Sequence, residues 1–178
     1  MPATTAPRAT LLERLSARWK LRGCSEVGGS TRVRGRVWVH GRGTVRLGAG
    51  VMLDGAHHPI ELHALDPSSE IVIGDGVFIE GGTSIEAVVS VRVGARTHLG
   101  SFSRLMDNHF HPLVGDRHWR PASAPVTVGE DVEIGPRALL LSGANVGNAA
   151  TIRAGAVITR RLPVPPGATA CGLPAVIE

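Results

Sequence analysis

Residues 126–164 read VTVGEDVEIGPRALLLSGANVGNAATIRAGAVITRRLPV. Counting by six from Val128 meets Ile134, Leu140, Val146, Ile152, Ile158 and Val164, a branched aliphatic every time. Four residues after each of the first five stand Val132, Ala138, Ala144, Ala150 and Ala156, all small. Glycine follows the aliphatic at Gly129, Gly135 and Gly147. An α-helix advances about 600° in six residues and would scatter these aliphatics around its circumference. A flat strand repeats every two residues and gives no reason for six. A chain coiled in short straight sides does give one. Each side turns one large aliphatic inward, a small residue fits near each corner, and three sides close a turn of about 18 residues. Successive turns then stack as parallel strands roughly 4.8 Å apart.

The same phase runs upstream. Leu47 and Leu53 are six apart, as are Ile73, Ile79 and Ile85, and Val93, Leu99 and Leu105. Ile85 to Val93 is eight, which predicts a slip or bulge. The segment DGAHHPIELHALDPSSE, residues 54–70, keeps no clean phase and reads as an irregular stretch or protruding loop. At the start, TLLERLSARWKLRG (10–23) spaces Leu11, Leu12, Leu15 and Trp19 at helical intervals, with Thr10 as N-cap and Gly23 as stop. A short amphipathic helix here would cover the coil's first turn, as a solenoid end requires. The expected organisation is a helical cap over 1–25, an all-β parallel β-helix over 26–170 with a loop at 112–125, and a tail over 171–178.

Composition agrees with thin repeating layers. Of 178 residues 43% are hydrophobic but only 3% aromatic, so Val, Ile, Leu and Ala must fill the core. The formal charge is +4 and Lys20 is the sole lysine, so the positive charge is arginine. Guanidinium suits phosphate, but no dense basic run with interleaved aromatics points to nucleic acid. Cys24 and Cys171 form no CxxC, which argues against a structural zinc site or a disulfide framework. No signal peptide and no apolar run of 18 residues appears, so the expectation is a cytoplasmic chain without membrane insertion.

The pieces IGPRALLLSGANVG, IRAGAVITR and CGLPAVI, on this six-residue repeat, resemble the left-handed β-helix hexapeptide-repeat acyltransferases. The match is to the maltose and galactoside O-acetyltransferases and the O-acetyltransferases of polysaccharide biosynthesis, over roughly residues 30–178. The resemblance implies a left-handed coil, a homotrimer with sites between subunits, acetyl-CoA as co-substrate, and acetyl transfer to a sugar hydroxyl of a small molecule or glycan precursor.

One stretch breaks the repeat: MDNHFHPLVGDRH, residues 106–118. The aliphatic due at position 111 is replaced by His111, and the phase returns only at Val126 or Val128. Residues 112–125 therefore read as a loop leaving a rigid scaffold, a common place for a site. An alcohol is a poor nucleophile at neutral pH, and an imidazole can take its proton as it attacks a thioester. The resemblance makes the His-Pro-Leu histidine, His111, the general base. His109 is the competing base, two residues away on the same face of an extended segment. Asp107 would orient an imidazole or hold an acceptor hydroxyl. His40, His57, His58, His63 and His118 fit no ligand pattern.

By the same resemblance, coenzyme A lies along the C-terminal turns. Ala154 stands where the backbone meets the pantetheine arm, and Thr159, Arg160 and Arg161 stand where the phosphates are met. Glu133 occupies a position where relatives often carry a site-lining tryptophan; it and Trp119 are the substrate-binding candidates. The tail LPAVIE lacks the basic residue usual before Val-Ile. Loops 54–70 and 112–125 would choose the acceptor. Two other readings stand beside this one. A zinc enzyme like the γ-class carbonic anhydrases needs three converging histidines, and the spacings here do not match; no metal is expected. A non-catalytic β-helix scaffold would bind no coenzyme.

Overall fold

The structure, a computed structural model, describes residues 16–17, 19–109 and 122–178. The chain winds as a left-handed parallel β-helix with three flat faces. On the first face lie β1 (Glu26–Val27), β3 (Thr44–Leu47), β5 (Glu70–Ile73), β8 (Ser90–Val93), β11 (Val126–Val128) and β14 (Asn145–Val146), hydrogen-bonded in that order. The second face carries the first halves of β2 (Arg32–Gly41) and β4 (Met52–Ala64). These are followed by β6 (Phe78–Glu80), β9 (His98–Leu99), β12 (Glu133–Ile134), β15 (Thr151–Ile152) and β17 (Thr169–Cys171). The third face carries the second halves of β2 and β4, then β7 (Ser84–Ala87), β10 (Arg104–Met106), β13 (Leu139–Leu140) and β16 (Val157–Ile158).

Every aliphatic of the six-residue series from Val128 to Val164 is buried, and so is each small residue four positions later. Each large buried aliphatic contributes about 1.5–3 kcal/mol, so the stack needs no aromatic core. From β11 onward the register advances by eighteen residues: Thr127 pairs with Asn145, Glu133 with Thr151, Leu139 with Val157. At many corners the third residue after the inward aliphatic adopts a left-handed conformation. Glycine fills some of these positions, as at Gly143 (φ +77°), but Phe102 takes one at φ +60°, which costs a bulky residue appreciable strain.

Two expectations are corrected. Residues 54–70 are not a protruding loop: β4 is the longest strand, running through Gly55 around a corner from the second face to the third. Leu53, Ile60, Leu62 and Ala64 are all buried, so the lost phase is three extra residues at the corner, where Ala56, His57 and His58 are exposed. The N-terminal helix is seen at Ser16–Ala17 and Trp19–Lys20, its last turn closed by the Leu21 N–H donating to the Ala17 carbonyl at 2.9 Å. Ala17 and Leu21 are its buried residues, whereas Trp19 is 69% exposed beneath the Arg22 guanidinium. Thr10, Leu11, Leu12 and Leu15 lie outside the described residues.

After β17 the chain reverses, and β18 (Val176–Ile177) pairs antiparallel with it. Among the described residues, no helix is long and apolar enough to cross a membrane.

Candidate functional site

The described part of the histidine segment, residues 106–109, stands at the corner between the third face and the next turn's first face. Asp107 is fully buried there, and its carboxylate accepts the backbone N–H groups of Val88 (2.8 Å), Val89 (2.6 Å) and Ser90 (2.7 Å). Those residues are the eight-residue step between Ile85 and Val93. Two extra residues at that corner would leave donors unpaired, and the carboxylate one turn on takes them. Both oxygens of Asp107, the residue expected to orient an imidazole or hold an acceptor hydroxyl, thus accept backbone N–H groups. Asn108 is also buried, with its amide oxygen unpaired among the described residues, and His109 is exposed. His111 and Trp119 lie outside the described residues.

The described residues on either side of 110–121 are tied together. The Ala124 N–H meets the Asp107 carbonyl at 3.0 Å and the Ser142 hydroxyl at 2.9 Å, and the Ala124 carbonyl accepts the Gly143 N–H at 2.9 Å. Arg160 packs on the same corner: a β-carbon on Gly143 would stand 2.8 Å from the Arg160 Cβ. Arg160 and Arg161 are exposed, Thr159 is half-buried, and its hydroxyl accepts the Arg161 N–H at 3.3 Å. One corner thus gathers Asp107, His109, Thr159, Arg160 and Arg161.

Ala154 and Glu133 lie elsewhere. Ala154 is exposed at the preceding corner, between the second and third faces, and Glu133 faces outward on the second face. A feature not foreseen from the sequence occupies that corner higher up. A pocket of about 280 Å³ is lined by Asp54, His57, His58, Phe78, Glu80 and Phe102, among others. The strained Phe102 forms one wall, its ring 4.7 Å from that of His58 and beneath the Arg137 guanidinium at 5.9 Å. Gly82 leaves room for it, since a β-carbon there would meet the ring at 2.5 Å.

Beside the pocket three turns are tied together. His98 stacks on Phe78 (centroids 5.0 Å apart), while its Nε2 lies 3.0 Å from Glu80 and its Nδ1 2.7 Å from Glu133. The second Glu80 oxygen accepts the Ser101 N–H at 2.8 Å. Glu133 therefore reaches the pocket through His98. A signal for this cluster exists in the sequence. Phe78, His98 and Glu133 each precede an inward aliphatic, and Phe78 pairs with His98 and His98 with Glu133 across turns. Aromatic walls with fixed carboxylates suit a polyhydroxylated ligand, since rings cover its apolar face and oxygens accept its hydroxyls. Among the described residues, no cluster of three or more His, Cys, Asp or Glu is placed to hold a metal ion.

Comparison with known proteins agrees with this architecture. Residues 125–160 match the family of bacterial transferase hexapeptides (six repeats). A 57-residue stretch is 42% identical to 2,3,4,5-tetrahydropyridine-2,6-dicarboxylate N-acetyltransferase of Staphylococcus aureus, covering 32% of this chain. The chain spans about a quarter of the length of the curated relatives it matches, 23%. Among solved structures, AntD, an N-acyltransferase from Bacillus cereus in complex with dTDP and coenzyme A, superimposes with a TM-score of 0.72 at 14% identity, over 91% of this chain and 87% of its own. A hexapeptide-repeat acetyltransferase from Vibrio cholerae O1 biovar eltor, complexed with acetyl-coenzyme A, gives 0.65 at 18% identity, over 96% and 78%. A GDP-perosamine N-acetyltransferase from Caulobacter crescentus, with CoA and GDP-perosamine, gives 0.57 at 25% identity, over 94% and 64%.

Proposed function

We propose that this chain, a member of the bacterial-transferase hexapeptide-repeat proteins, is an acetyl-CoA-dependent acetyltransferase acting on a sugar hydroxyl. The observation that carries this reading is the pocket of about 280 Å³, which opens on the same corner of the coil as Ala154. The acceptor sits between Phe78 and Phe102, with Glu80 accepting a hydroxyl. The coenzyme's arm runs down that corner past Ala154, and its phosphates are met by Thr159, Arg160 and Arg161. These last residues lie one corner away, across the third face. A second copy, presenting its histidine corner to the first copy's pocket corner, joins the two halves, which is the reason to expect a homotrimer. The outward residues Leu139 and Val157 give that face an apolar stripe suited to association.

In the reaction, His111, or His109 beside it, takes the acceptor's proton as its oxygen attacks the thioester carbonyl. The tetrahedral oxyanion collapses, the C–S bond breaks, and the imidazolium returns its proton to the departing thiolate. Glu133 acts through His98 and Glu80 on the acceptor, and Trp119 is assigned to it as well. A cytoplasmic location follows from the need for acetyl-CoA. Transfer to an amine is the second reading, favoured because the named relatives from Staphylococcus, Bacillus and Caulobacter are N-acyltransferases.

Calorimetric titration with acetyl-CoA tests the class. Micromolar binding, weakened in Arg160→Ala, is expected. No binding at millimolar coenzyme would sink the transferase and leave a non-catalytic scaffold.

A further inference from the structure

We infer that Arg153 binds a phosphate of the coenzyme, and that Glu178 in the tail holds this guanidinium until the coenzyme displaces it. The inference rests on the acetyltransferase reading and adds to its coenzyme site one binding residue and one built-in competitor.

The tail closes the end of the corner along which the coenzyme's arm is assigned to run. Ala154 and Gly155 stand exposed on that corner, and the Gly155 N–H donates to the Pro136 carbonyl of the turn above (2.9 Å). Beneath them the chain leaves β17 at Cys171 and rounds the same corner with residues 172–174. It then touches the third face. The Val157 N–H donates to the Gly172 carbonyl (3.1 Å), and the Ala175 N–H donates to the Val157 carbonyl (3.3 Å). β18 carries it back to the second face, where the Glu178 N–H donates to the Thr169 carbonyl (2.9 Å). A ligand descending the corner from the pocket therefore reaches Arg153 and the tail together.

Arg153 directly precedes Ala154, is exposed, and has Glu178 as its one carboxylate partner among the described residues. Its Nη2 donates to one Glu178 oxygen at 3.3 Å, and the Cys171 thiol donates to the other at 3.2 Å. Arg96, by contrast, grips Asp131 through two bonds of 2.7 Å. A single long bond between exposed groups adds little to the fold and is readily exchanged. A phosphate offers the same guanidinium two parallel charge-assisted hydrogen bonds and a greater charge, so it wins the exchange. The displaced carboxylate stays tethered beside the incoming anion and lowers the affinity that Arg153 confers. In the proposed assembly Arg160 and Arg161 of the next copy meet the phosphates from the other side, so the two corners grip them between them.

The test is calorimetric titration of the whole chain with acetyl-CoA and with 3′-dephospho-CoA. Arg153→Gln is expected to weaken acetyl-CoA binding about tenfold, the loss of one charged hydrogen-bonding partner. Glu178→Gln is expected to tighten it several-fold, and the gain should vanish in the double variant, which has no guanidinium to release. Both effects should shrink as salt rises. An Arg153 effect that persists with 3′-dephospho-CoA places the diphosphate at Arg153; one that disappears places the 3′-phosphate there. Both side chains are exposed, so the variants are expected to keep the parent's unfolding midpoint. If acetyl-CoA binds but Arg153→Gln binds like the parent, or Glu178→Gln binds no more tightly, the inference is overturned and the transferase reading stands. A gain that survives in the double variant would be a general charge effect and would overturn it equally. If acetyl-CoA itself does not bind, both readings fall.

Discussion

The lower turns of the coil, from Val126 onward, and the upper turns, before Met106, are built on one plan but used differently. The lower turns keep eighteen residues from strand to strand and hold no deviation through Val164. The upper turns carry extra residues: Met52 to Phe78 is twenty-six, and Phe78 to His98 is twenty. The surplus gathers at corners. In one case it lifts His57 and His58 over a pocket; in another it is tied down by Asp107. Regularity makes a scaffold, and the departures from it make places where something can bind.

This division predicts that damage separates. The largest effect is expected from Leu140→Ala in the lower turns, which leaves a void where neighbours above and below cannot close in. It should cost about 2–5 kcal/mol by denaturant unfolding, with little change in the acceptor pocket. Asp107→Ala should follow at about 2–3 kcal/mol, because three backbone N–H groups lose their acceptor, that of buried Ser90 among them. A loss as small as that of a surface residue would mean that water replaces the carboxylate. Glu133→Gln should leave stability nearly unchanged. It should raise the acceptor KM several-fold with kcat less affected, since Glu133 acts through His98 on Glu80. Equal loss in both constants would place Glu133 in the chemistry.

Two smaller effects concern protons. Burial pushes the Cys24 thiol up to about 12, so at pH 8 it stays protonated and a thiol reagent should modify it only on unfolding. Between about 9 and 12 the unfolded chain ionises first, and stability should fall as pH rises through that window. The Arg96 guanidinium, bonded to Asp131, holds that carboxyl below its ordinary range. The pair therefore adds stability at neutral pH that fades as pH falls into the acid range. Both groups are exposed, and Arg96→Gln should barely alter the acid limb of the unfolding curve.

How much of this was legible in the sequence follows from distance along the chain. The core series from Val128 to Val164 is readable because each member is six residues from the next. The eight-residue step at Ile85–Val93 could be seen, but not that Asp107, a turn further on, completes it. The pocket was out of reach for the same reason. Asp54, Phe78 and Phe102 belong to three turns of unequal length, and Glu133 finds His98 across thirty-five residues. Residues 54–70 hide their strand from a six-residue count because three corner residues shift the phase without ending it. The tail and the Thr159–Arg160–Arg161 run are legible only by resemblance; the run stands at the corner after β16, and the tail's β18 lies on the second face against β17.

The reversal at β18 has a consequence for how the molecule behaves in a crowd. A stack of parallel strands ends in a row of unpaired backbone donors and acceptors, an invitation to the next molecule to continue the stack. Because β18 lies antiparallel on β17, the last rung of that face offers a newcomer a strand of the wrong polarity. A hairpin of a few residues thus acts as a terminator, and a chain cut after Cys171 is expected to grow end to end into filaments where the whole chain stays discrete.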